Sequence, residues 1–527
     1  MSEARRRGDA HALLIATGIL LSRLAGLVRL RVFAHYFGLQ SEAADAFNAA
    51  FRIPNFLQNL FGEGALSASF IPVYARLLSR GRAAEADRVA GFIGSLLALV
   101  VSAIVGIGVL LAPVLTSVVA PGFSGNTREL TVTLVRVLFP GAGLLVLSAW
   151  CLGVLNSHRH FLLSYAAPVV WNVSMIATLL WRGPTSSLPE LAIWLAWGSV
   201  AGSALQFAVQ VPVVLRVAPE IRPHLRAFSS EASSVVGNFV PVFFSRGVVQ
   251  TSAYIDGMIA SLLPTGAVTG LANAQLLYTL PVSVFGMSVA AAELPALAGD
   301  AAGELEGLKA MRARLNRGLR QIAFFVVPSA VAFAALGDVV AAALLQTGRF
   351  VYADAVYVWI ILGGAALGLL PATLGRLYSS AFYALGDTRT PFRYALVHVG
   401  IAAVLGYVFA VPLTAWMGVD PRLGAAGLTV AASLAAWVEL LLLRRSLVLR
   451  IGPTGLAAGF RVAVIVAAGL AATAGWSVKL ALPPLHPVFI AILVLGAFSA
   501  TFGAATLAMR VPEAAALVAR VTGRSAP

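Results

Sequence analysis

The sequence predicts an all-α, polytopic membrane protein of about fourteen transmembrane helices with both termini in the cytoplasm. Three observations carry that prediction. Only 11% of the 527 residues are charged, against about 25% in a soluble domain, so water is not the main solvent. Apolar stretches of roughly twenty residues or more recur from end to end, each long enough to cross about 30 Å of hydrocarbon. Lys and Arg alternate between rich and poor connections, as the positive-inside rule requires.

Punctuation by Gly, Pro, Asn and charge marks apolar segments near 12–37, 44–78, 88–119, 128–155, 161–181, 188–215, 232–262, 267–298, 319–346, 353–385, 392–416, 423–446, 456–481 and 487–509. The second contains Pro54, Gly62, Glu63, Gly64 and Pro72, which predicts a kinked or broken helix. With the N-terminus inside, the outer connections hold only Arg128, Arg182, Arg349, Arg422 and Lys479, and 24 basic residues fall on the cytoplasmic side. One miscounted helix would scramble that alternation beyond it. The cytoplasmic connection 299–318, GDAAGELEGLKAMRARLNRG, suits either a short helix on the anionic inner leaflet or a solvated linker helix.

Composition also excludes. A net charge of +15 would suggest nucleic acid in a soluble protein; here the basic residues sit in short loops, and no nucleic-acid partner is expected. The single cysteine, Cys151, rules out an intramolecular disulfide and a multi-cysteine metal site. Arg5, Arg6 and Arg7 precede an apolar stretch with no cleavage signal, which is read as the first span. The chain has no phosphate-binding loop for ATP, dinucleotide fingerprint, nucleophile elbow or zinc-binding His pair. Neither a cofactor, a metal nor enzymatic chemistry is expected, and transport would draw on a monovalent cation gradient or the membrane potential. Of the histidines, His398 alone lies well within a span, where a packed helix histidine is the ordinary reading.

Charges inside the spans point to a function. A cation at the bilayer centre costs at least about 2.5–3.5 kcal/mol. Arg23 lies about eleven residues into the first span, roughly 16 Å along its axis. Arg29 and Arg31 follow, so that one helix offers cations over a broad face and at several depths. Asp45, Arg52 and Glu63 come next, then Arg136, Arg246, Asp256 and Arg376. Acids are too few to neutralise every arginine. Either Arg23 and Arg29 pair with Asp45 or Glu63, or they await an anion that comes and goes. Arginine binds phosphate bidentately and keeps its proton, so a pyrophosphate suits the second reading. Asp256 is the candidate ion-coupling acid.

Five stretches carry a family likeness: LSRLAGLVRLRVFAHYFG (21–38), ADAFNAAFRIPNFLQNLFGEGALSASFIPVY (44–74), NSHRHFLLSYAAPVVWN (156–172), QLLYTLPVSVFGMSVAAAELPAL (275–297) and SSAFYALGDTRTPFR (379–393). Together they resemble the MurJ/MviN lipid II flippases of the multidrug/oligosaccharidyl-lipid/polysaccharide exporter superfamily. The resemblance implies two six-helix lobes (1–228 and 229–450) followed by two further C-terminal helices (451–527). It implies alternating access in the bacterial plasma membrane, with a cationic cavity taking a pyrophosphate head group while the lipid tail stays in hydrocarbon. Arg23 and Arg29 match the family's first-span arginines, and Ser22, Asp45 and Glu63 match further polar positions. Gln58 and Leu276 stand where the family usually has arginine; Arg52 or Arg246 would compensate. Leu30 replaces a frequent acid, and Asp256 matches a position that some members use for sodium, without an acidic partner in the eleventh span.

The function expected is therefore translocation of undecaprenyl-pyrophosphate-linked peptidoglycan precursor, without ATP. The alternatives are export of another polyprenyl-linked glycan or an amphiphilic drug, and a membrane glycosyltransferase, which the short outer connections disfavour.

Overall fold

The computed structural model describes residues 2–61, 63–225, 229–287, 289–290, 293, 297, 299–300 and 305–522. Helix is the rule because hydrocarbon offers no water to backbone N–H and C=O groups, and a helix satisfies them within one segment. Polar side chains inside the spans follow the same logic. Thr131, Thr178, Thr373 and Thr506 each donate to the carbonyl four residues earlier, at 2.7–2.9 Å.

Packing divides the chain into two compact units, Met1–Gly266 with Thr347–Phe350, and Ala267–Gln346 with Val351–Pro527. The first unit contains α1 (Ser2–Phe37), α2 (Glu42–Phe61), α3 (Glu63–Ser79), α4 (Ala83–Leu110), α5 (Ala112–Val119), α6 (Gly125–Ser157), α7 (Phe161–Arg182), α8 (Leu188–Val217) and α9 (Ser230–Ala260). Its core runs through Phe33, Phe37, Phe47, Phe70 and Tyr74 to Leu134 and Leu155. In the second apolar segment α2 ends at Phe61 and α3 begins at Glu63; the expected kink or break at Gly62 lies outside the described residues.

The second unit contains α10 (Ala267–Pro281), which continues as a π-helical turn over Val282–Met287, then α11 (Leu305–Leu345), α12 (Tyr352–Ala384), α13 (Arg389–Ala410), α14 (Pro412–Met417), α15 (Gly424–Ile451), α16 (Ala458–Ala481), α17 (Pro487–Ala508) and α18 (Pro512–Thr522). The described part of the 299–318 connection is not a separate surface helix from Leu305 onward. It runs on into the next span as one helix of 41 residues, about 60 Å long. That helix bends at Leu336, whose φ of −129° is non-helical. The carbonyls near the bend are taken up by indole donors: Trp359 Nε1 to Ala334 O and Trp476 Nε1 to Ala335 O, both 2.9 Å.

Close approach of α12 and α15 shows what holds membrane helices together when no hydrophobic gradient drives them. Thr429, Ser433 and Trp437, one turn apart on α15, donate to the carbonyls of Ile361, Gly364 and Leu367 on α12 at 2.7–3.0 Å. Gly364 and Gly368 make the approach possible, since a Cβ on either would lie within 2.6 Å of a facing hydroxyl. Small residues at the seam and hydrogen bonds across it are the usual means of such association.

Among the described residues, eleven helices are long and apolar enough to cross a membrane. The three remaining expected spans fall on α1, the α2–α3 pair and α9. These are the polar helices that carry Arg23, Arg29, Asp45, Arg52, Arg246 and Asp256.

Candidate functional site

The candidate site is built in the first unit by α1, α2, α7 and α9. The end of α1 is pinned by Thr347–Phe350: Arg349 N donates to His35 O at 2.9 Å, and His35 Nδ1 lies 2.9 Å from Thr347 Oγ1.

Arg29 is half-buried between α2 and α7. Its guanidinium carbon lies 4.7 Å from the centroid of the Trp171 ring and 5.7 Å from that of Phe51. The two rings stack on each other at 5.8 Å with an interplanar angle of 15°. Nη1 reaches Met175 Sδ at 3.3 Å. Trp171 is oriented in turn by its indole N–H, which donates to Ser199 Oγ at 3.1 Å. Trp171 and Met175 stand four residues apart on α7, and so share a face. Asn172, on the same helix, is buried; its Oδ1 has no hydrogen-bond partner among the described residues and lies beside Gly26 of α1. Among the described residues no carboxylate pairs with Arg29. Its partners are π-faces and a thioether, which hold a guanidinium in place without cancelling its charge.

Arg52 follows Phe51 and points to α9. Its carbonyl accepts from Tyr254 OH at 2.7 Å, and Tyr254 meets Phe56 edge-to-face at 5.0 Å. Nη1 is buried against Gly257, with no hydrogen-bond partner among the described residues. Asp256 stands on α9 beside Gly257.

The other expected residues lie elsewhere or carry other bonds. Asp45 is buried, and its Oδ2 accepts from the N–H of Gly266 at 2.7 Å. Gly266 has φ +95°, so Asp45 fastens the left-handed turn at that glycine. Ser22 is half-buried and Arg23 is exposed on α1. Arg136 and Arg376 are also exposed. The side chains of Glu63 and Arg246 lie outside the described residues. Gln58 and Leu276 are half-buried and bring no charge. Sequence reasoning missed Phe51, Trp171 and Met175. The available signal was their position inside, or just beyond, the two motifs 44–74 and 156–172.

The site therefore offers a guanidinium on an aromatic bed and a second guanidinium with an unsatisfied N–H. Such donors recognise an anion rich in oxygen atoms, whereas the Asn172 oxygen can only accept a hydrogen bond.

Comparison with known proteins gives a family match over residues 33–503, described as "Lipid II flippase MurJ". A protein of Burkholderia cenocepacia named "Lipid II flippase MurJ" is 32% identical over 440 residues, covering 82% of each chain. The solved structure "Lipid II flippase MurJ, inward closed conformation" superposes with a TM-score of 0.74 at 23% identity, covering 93% of this chain and 98% of that one. An inward-facing multidrug resistance MATE family transporter of the MOP superfamily follows with a TM-score of 0.64 at 16% identity, covering 82% and 98%. These two likenesses are of fold.

Proposed function

The chain belongs to the MurJ lipid II flippase family, and from that premise we propose that it moves lipid II, the undecaprenyl-pyrophosphate-linked peptidoglycan precursor, across the bacterial plasma membrane. It does so without making or breaking a covalent bond and without ATP. The observation that carries this reading is Arg29, held by Trp171, Phe51 and Met175 with no carboxylate among the described residues to cancel it. Arg29 and Arg23 bind the pyrophosphate. Arg52 and Arg246 supply the charge that Gln58 and Leu276 do not. Ser22 and Glu63 serve the same region, and Asp45 holds the frame by its bond to Gly266.

The topology proposed is fourteen spans with both termini cytoplasmic: the eleven apolar helices plus α1, the α2–α3 pair and α9. The moving bodies are the lobes 1–228 and 229–450, with 451–527 appended; in this conformation α9 packs with the first unit. An inside-negative potential favours inward return of the empty, cationic carrier by about 2.3 kcal/mol per net charge per 100 mV.

The test is a flipping assay in liposomes with defined lipid II, with and without an imposed potential. Wild-type protein flips it, and Arg29→Ala loses affinity about 10- to 100-fold, the worth of one or two charge-assisted hydrogen bonds. Unchanged affinity and rate in Arg29→Ala would refute the clamp. A second reading, export of another polyprenyl-linked glycan or an amphiphilic drug, is favoured only by Gln58 and Leu276. Comparing lipid II with undecaprenyl pyrophosphate in the same assay separates the two.

A further inference from the structure

Ion pairs in the second unit are built almost wholly from arginine or lysine. Arg314 meets Asp300 at 2.8 Å and Glu293 at 3.7 Å, Arg320 meets Glu513 at 2.9 Å, and Arg450 meets Asp387 and Lys479 meets Asp338, each at 2.6 Å. One pair among the described residues differs. His398 Nδ1 lies 2.8 Å from Glu439 Oε2, and imidazole is the one cation here that gives up its proton near neutral pH.

The pair sits inside the membrane. His398 is nine residues, about 13 Å, from the start of α13, and Glu439 is near the middle of α15. Both helices qualify as spans. Ionisable side chains at that depth are costly and are retained for a function more often than not. With one proton between the two groups the pair is neutral overall. Losing that proton leaves a net negative charge in hydrocarbon, and gaining another leaves a positive one. The proton content therefore changes cheaply only when water reaches the pair. Each side chain is partly exposed at the protein surface, at 22% and 24%, while Nδ1 of His398 is itself buried and makes no formed hydrogen bond among the described residues.

We propose that His398 and Glu439 form a proton-binding site whose loading and unloading accompanies each transport cycle, coupling lipid movement to the transmembrane proton gradient. The proposal rests on the flippase reading above. A proton is taken from water on one side by the carboxylate–imidazole pair and returned to water on the other; no other bond changes. A sodium ion fits less well, because it favours several hard oxygen ligands and half of this pair is a ring nitrogen. No group of three His, Cys, Asp or Glu side chains able to hold a metal occurs among the described residues.

Few other titratable groups surround the pair. On α12, Tyr383 and Arg376 are both exposed. On α13, Tyr394 is engaged by Ser446 Oγ at 2.6 Å, and Arg393 is five residues, about 7 Å, from His398. On α15, Arg444 and Arg445 lie beyond Glu439 by a similar rise, with Arg444 Nε bound to Thr454 O at 3.0 Å. On α10, Tyr278 OH lies 3.4 Å from Gly368 O. On α11, Asp338 is already taken by Lys479. The helix α14, sequence PLTAWM, carries no titratable group.

The experiment uses the full chain in liposomes with lipid II, the potential clamped, and a proton or sodium gradient imposed. One proton per cycle shifts the steady-state distribution of lipid about tenfold per pH unit. Glu439→Gln and His398→Gln should bind lipid II but lose that response. A second readout, the infrared carboxyl band of Glu439 titrated in the empty wild-type protein, is independent of transport. If the band titrates and is lost in Glu439→Gln while lipid II does not move, the proton site stands and the flippase reading falls. If wild-type protein flips lipid II with no proton-gradient response, responds to sodium alone, or keeps its response in both variants, the proton proposal is overturned. The wild-type measurements decide the matter even if a variant fails to fold.

Discussion

Lys479 Nζ lies 2.6 Å from Asp338 Oδ2, which also accepts from Tyr352 OH at 2.7 Å. Asp338 is almost wholly enclosed, with 1% of its side chain exposed. The ammonium rests on aromatic faces, 4.4 Å from the Trp476 centroid and 5.9 Å from that of Trp359. The same two indoles bind the carbonyls at the bend of α11. One cluster thus fastens α11, α12 and α16 together. Removing one partner leaves the other buried and charged, which costs about 3–5 kcal/mol. Lys479→Ala and Asp338→Ala should each lower thermal stability in detergent by that order, while Asp338→Leu with Lys479→Met recovers most of it. Additive losses in the double variant would show that the two side chains do not act as a pair.

The aromatic bed of Arg29 gives a second prediction. Cation–π contacts are worth about 0.5–2 kcal/mol, so Trp171→Ala should weaken lipid II binding about 2- to 30-fold. Trp171→Phe keeps a ring but loses the hydrogen bond to Ser199, and should fall between. Isothermal titration with lipid II checks both. Equal affinity in wild type and Trp171→Ala would mean that the ring only fills space.

The depth of Arg29 is legible because helical rise converts residue number into distance within one segment. Its bed is not, because Trp171 is 142 positions away in number and meets α1 only through packing. Asp45 was legible as an intramembrane acid, but its tie to Gly266 depends on a turn whose geometry a pattern cannot give. Lys479 read as an outer-loop cation, since nothing nearby in sequence announces that Asp338 waits for it. The continuity of α11 was missed because the charged stretch 305–318 lowers local hydropathy without interrupting the helix. His398 was singled out by depth, yet its partner Glu439 lies on a helix whose register against α13 only the fold supplies.

The seam between α12 and α15 should be intolerant of bulk. A Cβ on Gly368 would lie 2.6 Å from Ser433 Oγ and 2.8 Å from its Cα, and the second of these cannot rotate away. Gly368→Val should cost about 1–3 kcal/mol, and Ser433→Ala about 0.6 kcal/mol for its bond to Gly364 O. Thermal denaturation in detergent measures both. A smaller loss for Gly368→Val than for Ser433→Ala would contradict the tight seam.

Asp387, in the connection between α12 and α13, gives a pH dependence whose sign follows from its bonds. Its carboxylate accepts from Thr390 Oγ1 at 2.7 Å and Thr390 N at 2.9 Å, from Arg389 N at 3.0 Å, and from Arg450 Nη2 at 2.6 Å. These donors favour the charged form, the Thr390 hydroxyl and amide foremost and the Arg450 guanidinium after them, and hold its pKa at about 2 against an ordinary 3.8. A carboxyl depressed in the folded state stabilises that state fully above the unfolded pKa. The stabilisation is lost as pH falls from about 4 through about 2. Thermal stability should therefore decline over that window by more in wild type than in Asp387→Asn. At pH 7, Asp387→Ala should cost about 1 kcal/mol, the usual worth of a side chain capping a helix start. A wild-type curve parallel to that of Asp387→Asn from pH 5 to pH 2 would show that the charge on Asp387 does not hold α13 in place.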